Sequence, residues 1–335
     1  MSNRRAGIIG LGVYAPEKIL TNEELEKMVD TSDEWIRTRT GIRERRIAAP
    51  EQATSDLALE AARRALADAA VTAGELDLII VATNTPDMLF PATACLLQNA
   101  LGAERAGAFD LLAGCTGFIY ALAAGSQFIA GGGAKTVLVV GAETLSRIVN
   151  WRDRNTCVLF GDGAGAAVLR EVPDGYGMLA FRLGAEGSGG PLLCLPAGGS
   201  RRPADRETVE QDLHYVHMNG REVFKFAVRT MEEGTREVTR EAGLTVQDVD
   251  FLIPHQANIR IIDAAVRRLG IPAERVLVNV DRYGNTSTAS VPLALQEARR
   301  EGRIKNGDHV VLVGFGAGLT WAAAALKWFD GRGEE

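Results

Sequence analysis

The chain repeats itself once, at a shift of about half its length, and few folds accommodate that. The run LDLIIVATN (residues 76–84) leads to a helix-like segment ending LGA, then AFDLLAGCTGF, then KTVLVVGAE. Later, VDFLIPHQAN (residues 249–258) leads to a segment ending LGI, then VLVNVDRYGNTST, then DHVVLVGFGAG. Matching Asp77 with Asp250, Asp110 with Asp281 and Val137 with Val310 gives shifts of 173, 171 and 173 positions. One long repeat reads as duplication of a half, whereas a solenoid stacks several short units. The 335 residues then divide into halves 1–175 and 176–335, meeting where PDGYG (173–177) breaks the pattern.

Within each half, apolar runs alternate with helical spacing, the pattern of an α/β fold with largely buried sheets. Residues 76–82, 136–140, 249–253, 276–280 and 309–313 read as buried strands. Residues 55–70 and 259–269 read as amphipathic helices, 219–243 mirrors 55–74, and a further helix is expected over 291–300.

Superposing the halves puts Cys115 and Asn285 at equivalent strand-to-helix corners, with His255 just past a strand. Chemistry drawn from both halves would lie between them, at the carboxyl ends of strands. A cysteine with a distant His and Asn is the minimum set for covalent acyl chemistry. At a helix start the backbone dipole is expected to lower the Cys115 pKa and favour the thiolate.

Structural roles compete with each assignment. His255 could cap the following helix, and Asn285 could cap the helix at 291–300. Cys95, Cys157 and Cys194 lie in apolar runs and read as buried apolar side chains. His214 and His217 have no third ligand in register, so they read as solvated and no metal is expected. Gly10 and Gly12, and the run 160–169, lack a phosphate-binding lysine or an uninterrupted helix start, and read as structural turns.

A net charge of −6 argues against a nucleic-acid partner, because phosphate contacts need a basic field. Four cysteines without a CxxC spacing point to a reduced, cytoplasmic setting. Arg4 and Arg5 precede the apolar run 6–13, but its three glycines and missing A-x-A site do not make a signal peptide. No uncharged apolar stretch of about 18 residues is present, so no membrane partner is expected.

The segments TSDEWIRTRTGIRERR, DLLAGCTGF, FGDGAGAAVL, NGREVFKFAV, PHQANIRII, YGNTSTASVPLAL and GFGAGLTW occur in one order along almost the whole chain. Together they resemble the 3-oxoacyl-ACP synthase III family of the thiolase superfamily. The resemblance implies a five-layered αβαβα sandwich of two duplicated halves and a cytoplasmic homodimer. It also implies an activity: a short acyl group passes from acyl-CoA to cysteine and condenses with malonyl-ACP, initiating fatty acid synthesis.

By that resemblance Cys115, His255 and Asn285 are the catalytic triad, and the backbone amides of Cys115 and Ala317 form the oxyanion hole. Trp35, Arg39 and Arg154 would hold CoA, and Phe90 would reach across the dimer to the acyl pocket. Acyl carrier protein would meet Gln256, Ala257, Asn258, Ile259 and Arg260, together with Lys225, Arg267 and Arg268. Arg43 and Arg45 remain a solvated charged face. Acyl-CoA is a substrate, and no metal or redox cofactor is implied. Gly114 and Thr116 replace the alanines that flank the cysteine in some members, which bears on the primer.

The related alternative is a thiolase-fold condensing enzyme of a polyketide or other specialised pathway, using malonyl-CoA or a different primer. A biosynthetic thiolase needs a second reactive cysteine late in the chain, and Cys194 lies outside GFGAG. A non-catalytic acyl-binding scaffold would not need an intact triad.

Overall fold

In the computed structural model, which describes residues 4–331, two sheets carry the duplication. The first has strand order β1 (Ala6–Tyr14), β5 (Gly163–Glu171), β4 (Val137–Glu143), β2 (Leu78–Ala82), β3 (Gly107–Leu111). The second has order β6 (Gly177–Ala185), β9 (Thr320–Lys327), β8 (His309–Gly316), β7 (Phe251–Pro254). Pairing direction repeats as well: β4 runs parallel to β2, as β8 does to β7, and the remaining pairs at the β1 and β6 ends are antiparallel.

The register repeats too. Leu78 pairs with Val137, and Phe251 pairs with Val310, each 173 positions later. Asp77 receives the Thr136 amide on its carboxylate (3.0 Å), and Asp250 receives that of His309 (2.9 Å). Shifted by one residue, every side chain would face the wrong layer, so the buried pattern fixes this alignment.

Helices fill three layers around the sheets. Outside the first lie α2 (Thr54–Asp68) and α3 (Thr93–Leu101); outside the second lie α5 (Gly220–Glu241) and α6 (Ile259–Leu269). Between them run α4 (Gly117–Ala130), apolar over most of its surface, and α7 (Ser290–Arg300), buried over residues 290–295, because a sheet lies on either side. The helix α1 (Asp33–Thr40) precedes these and lies beside α6.

Four sequence expectations fail here, one of them the turn read over 160–169, most of which is strand β5. Residues 276–280 do not form a strand: a single parallel bridge joins Leu252 to Val276 where the first half has β3. The Gln256 side chain takes over the backbone groups beyond it, donating to Leu277 O (3.1 Å) and accepting from Asn279 N (2.9 Å). Gly10 and Gly12 lie inside β1 and are no turn: a Cβ on Gly12 would sit 2.2 Å from the Ala65 nitrogen of α2. They let the helix backbone touch the strand. Arg45 is fully buried, not solvated, with its guanidinium donating to Asn22 Oδ1, Leu20 O and Val158 O. Burial lowers its pKa to about 10.

Candidate active site

The turn that carries Cys115 is shaped by glycines. β3 leads into a 3-10 turn at Gly114–Thr116, and α4 starts at Gly117. Gly114 holds φ 57°, and a Cβ there would lie 2.5 Å from the Ala317 carbonyl oxygen. A Cβ on Gly316 would come 2.3 Å from the Cys115 nitrogen. The two motifs therefore interlock across the seam between the halves. The Thr320 hydroxyl reaches the carbonyls of Ala113 (2.8 Å) and Ala317 (3.0 Å), pinning both sides.

The Ser287 side chain and the backbone amides of Cys115 and Ala317 lie close enough to the Cys115 thiol to lower its pKa. Helix-start reasoning anticipated a lowered pKa, and the structure reverses that expectation. Burial dominates and pushes the thiol up to about 12; the Ser287 side chain opposes it, and nearby Glu143 adds to it.

His255 follows the last residue of β7, and its own amide donates to Val313 O (2.8 Å). It does not cap α6, a role taken by Asn258. Its Nδ1 is hydrogen-bonded to Ser290 Oγ, and Phe315 meets the ring edge-on at 5.3 Å. Ser290 Oγ also accepts the Gln256 amide (3.3 Å), which anchors the serine beside the ring. Nε2 is buried and has no partner among the described residues. Burial lowers the ring pKa to about 3, so the side chain is neutral at pH 7. A Cβ on Gly314 would touch His255 Cβ (3.4 Å) and Thr116 Cγ2 (3.8 Å), so the histidine and the Cys115 turn flank the same strand.

Asn285 bridges in parallel to Phe160: its amide donates to Leu159 O (2.8 Å), and its carbonyl accepts from Gly161 N (3.0 Å). Its carboxamide oxygen accepts the Ser287 amide at 2.9 Å, which leaves the carboxamide nitrogen as a donor. It caps no helix; Ala289 occupies that position before α7. Ser287 thus lies beside the Cys115 thiol and is bonded through its amide to Asn285, and two neutral side chains accompany one thiol. A carboxylate in either place would repel negative charge developing on an acyl oxygen, and these groups do not.

The expected CoA residues also meet. The guanidinium carbons of Arg39 and Arg154 lie 5.5 and 5.2 Å from the Trp35 ring centroid. Trp35 lines a pocket of about 550 Å³ with Val158, Leu159 and Asn219, and Leu159 leads by its carbonyl to Asn285.

Of the residues expected to meet carrier protein, Gln256 and Ala257 are 1% and 9% exposed. Their side chains cannot present a docking surface, because Gln256 holds backbone groups inside and Ala257 packs in the core. Asn258, Ile259 and Arg260 come to the surface. Arg260 lies over Phe224 (6.0 Å), Lys225 pairs with Glu222, and Arg268 pairs with Glu232. Arg267 is exposed, with no ion pair among the described residues. Asn258 also donates to Arg39 O (3.1 Å), so the Trp35 cluster and the arginine face adjoin.

Phe90 is 84% exposed, beside Leu89 at 80%. Cys95 is exposed, contrary to its apolar reading, while Cys157 is buried and Cys194 half-buried. Ser287, Ser290 and Glu143 escaped the sequence reading, because small polar residues within YGNTSTAS and at a strand end carry no spacing signal.

A duplicated αβαβα sandwich with Cys, His and Asn at its seam defines a condensing enzyme of the thiolase fold. Residues 109–187 and 239–328 match the two parts of one family, 3-oxoacyl-[acyl-carrier-protein (ACP)] synthase III and its C-terminal region. A β-ketoacyl-[acyl-carrier-protein] synthase III of Symbiobacterium thermophilum is 64% identical over 98% of this chain and 99% of its own. The crystal structure of 3-oxoacyl-[acyl-carrier-protein] synthase III from Aquifex aeolicus superposes with a TM-score of 0.90 at 52% identity, over 96% of this chain and all of that one. The priming β-ketosynthase of the R1128 polyketide pathway reaches a TM-score of 0.91 at 38% identity, over 99% of both chains. The chain belongs to the 3-oxoacyl-[acyl-carrier-protein] synthase III family, acyltransferases that initiate fatty acid synthesis by condensation.

Proposed function

We propose that this enzyme works in two half-reactions at Cys115, His255 and Asn285. The Cys115 sulfur attacks a short acyl-CoA thioester, CoA leaves, and the acyl group remains on sulfur. The Cys115 and Ala317 amides, which already lie beside the thiol, stabilise the tetrahedral oxyanion. Malonyl-ACP then loses CO2, and His255 Nε2–H and the Asn285 carboxamide donate to the enolate oxygen. The carbanion attacks the acyl-cysteine to give 3-oxoacyl-ACP, and the chemistry calls on no metal or redox cofactor.

The observation that carries this reading is the convergence on Ser287 of the thiol and the carboxamide, with a neutral, unpartnered His255 Nε2 behind the same turn. Acyl-CoA binds along Trp35, Arg39 and Arg154, and acidic carrier protein docks on Arg260, Arg267 and neighbouring α6 residues. The exposed apolar set Met88, Leu89, Phe90 and Leu112 is buried against a second copy, with Phe90 entering the partner's acyl pocket. Among the described residues no helix is long and apolar enough to cross a membrane, and the enzyme acts in the cytoplasm. Identity of 64% to a fatty acid enzyme against 38% to the polyketide priming synthase favours the housekeeping reading. Purified enzyme given labelled acetyl-CoA and then malonyl-ACP tests it; labelled 3-oxoacyl-ACP is expected, and turnover of malonyl-CoA in its place would overturn the carrier assignment.

A further inference from the structure

Arg45 is a buried cation whose place the two half-reactions do not explain. It lies in the short strand Glu44–Ile47, is 0% exposed, and has only neutral oxygens as hydrogen-bond partners. Its guanidinium donates twice to Asn22 Oδ1 (2.9 and 3.0 Å), once to Leu20 O (3.0 Å) and once to Val158 O (2.9 Å). The remaining donor, Nε, has no hydrogen-bond partner among the described residues. Taking a cation out of water without a counter-ion opposes folding. An apolar side chain of like volume would fill the space without that opposition. What it could not do is gather oxygens from residues 20, 22 and 158 around one plane.

One of those segments holds Asn285. Val158 is followed by Leu159, whose carbonyl accepts the Asn285 amide (2.8 Å), and Gly161 donates to the Asn285 carbonyl (3.0 Å). The Arg45 stem packs into the same place: a Cβ on Gly161 would lie 3.0 Å from Arg45 Cβ, and one on Gly284 3.3 Å. Its neighbours clamp both flanks, Arg43 N donating to Asp281 O (2.9 Å) and Arg46 O accepting from Asp162 N (2.8 Å). The Asn285 backbone is therefore held against residues 43–46 and 159–161, while its carboxamide oxygen is held by Ser287 N.

The other side of the guanidinium leads to the expected CoA residues. The Asn22 carboxamide nitrogen donates to Asp33 Oδ1, in the first residue of α1, and to Ile42 O, two residues past its last (2.9 Å each). Trp35 and Arg39 lie on α1. Asn22 is itself 0% exposed, so α1 and the 158–161 segment share one buried anchor.

We propose that Arg45 is a positioning residue for the condensation half-reaction: by tying Val158 to Asn22 it fixes the Leu159–Gly161 backbone, and with it the direction in which the Asn285 carboxamide nitrogen points. It acts through Asn285, and so rests on the reading of Asn285 as a donor to the enolate. A misplacement of about 1 Å at such a group can cost about 10²-fold in rate. The Cys115 turn is held instead by the Gly316 contact and the Thr320 hydroxyl, so acylation does not pass through Arg45.

The test compares wild type, Arg45→Met, Arg45→Lys, Asn285→Ala, and each Arg45 variant combined with Asn285→Ala. Two rates are read per mole of folded enzyme: single-turnover acylation by labelled acetyl-CoA, and CO2 release from carboxyl-labelled malonyl-ACP. Arg45→Met should slow CO2 release about 10- to 100-fold and leave acylation at saturating acetyl-CoA unchanged. The KM for acetyl-CoA should rise several-fold as α1 loses its anchor. Arg45→Lys keeps the charge but spans fewer of the oxygens, and its CO2 release should fall between the two. In the Asn285→Ala background Arg45→Met should bring no further loss, because the donor it aims is gone. Equal losses in both rates, or additive losses in the double variant, would make Arg45 merely structural and overturn the proposal. Normal CO2 release from folded Arg45→Met would overturn it as well. If Arg45→Met does not fold, Arg45→Lys decides by the same split and the same pairing with Asn285→Ala. Normal CO2 release from Asn285→Ala alone would instead remove the donor role of Asn285 itself.

Discussion

Gly114 and Gly284 stand 170 positions apart and both hold a positive φ, 57° and 64°, which Gly284 combines with an extended ψ of −157°. Each immediately precedes a reactive side chain, Cys115 in one half and Asn285 in the other. Gly114 opens the 3-10 turn before α4, whereas Gly284 stands three residues ahead of the turn Ser287–Ala289 that leads into α7. At the shift of 173 positions the counterpart of Gly114 is Ser287, which also holds a positive φ of 48°, so the repeated turn carries Cys115 in one half and follows Asn285 in the other.

Replacing either glycine by alanine should therefore destabilise the protein and slow acylation together. The backbone strain is on the order of 1–3 kcal/mol. The added Cβ would also meet Ala317 O at 2.5 Å, or Leu159 O at 2.8 Å. Denaturant unfolding is the check, and an unchanged midpoint for Gly114→Ala would contradict the interlocked turns.

Cys115→Ala should leave no labelled acyl-enzyme after incubation with acyl-CoA. His255→Ala and Asn285→Ala should still acylate but release CO2 from malonyl-ACP about 10²- to 10³-fold more slowly, each having lost one donor to the enolate. Rapid quench with labelled malonyl-ACP separates the steps, and normal CO2 release would contradict the donor roles.

The two substrate surfaces should separate kinetically. Trp35→Ala should raise KM for acyl-CoA about tenfold, through lost stacking and cation contacts. Arg260→Glu should raise KM for malonyl-ACP several-fold and leave that for acyl-CoA unchanged. Equal effects on both substrates would rule out a distinct carrier face.

His255 should give stability an acid limb. Its folded pKa is lowered to about 3 from an ordinary 6.5, so in that window the unfolded chain binds a proton that the folded chain refuses. Stability is full above about 6.5 and is lost as pH falls toward 3, by up to about 1.4 kcal/mol per pH unit. Glu143 and Asp162, buried with raised pKa values, act in the opposite sense: their contribution fades as pH rises above the ordinary carboxylate range. Urea titrations between about pH 4 and 7 should show a shallower slope for His255→Ala than for wild type. Identical slopes would mean that the ring is protonated in place.

Periodicity and the internal repeat made much of this architecture readable. The shift between Asp77 and Asp250 reappears as identical strand register, because buried side chains tolerate no slip. The stretch 276–280 misled because Val-Leu-Val is as apolar as a strand, while its backbone partner is a side chain, Gln256. Arg45 misled because a charge in a charged run reads as solvated, and only the fold reveals the carbonyls around it. The Cys115 environment was hidden for a related reason: helix position is local and visible in sequence, whereas burial comes from the opposite half. Gln256 and Ala257 lie in a motif whose exposed part begins only at Asn258.

The central helices α4 and α7 have a further bearing, on how the molecule comes apart. Each leans on strands of both sheets, so neither half can shed its partner without baring two apolar helix faces at once. Loss of structure in one half removes the support of the other, and melting should proceed as a single concerted transition despite the twofold ancestry of the chain.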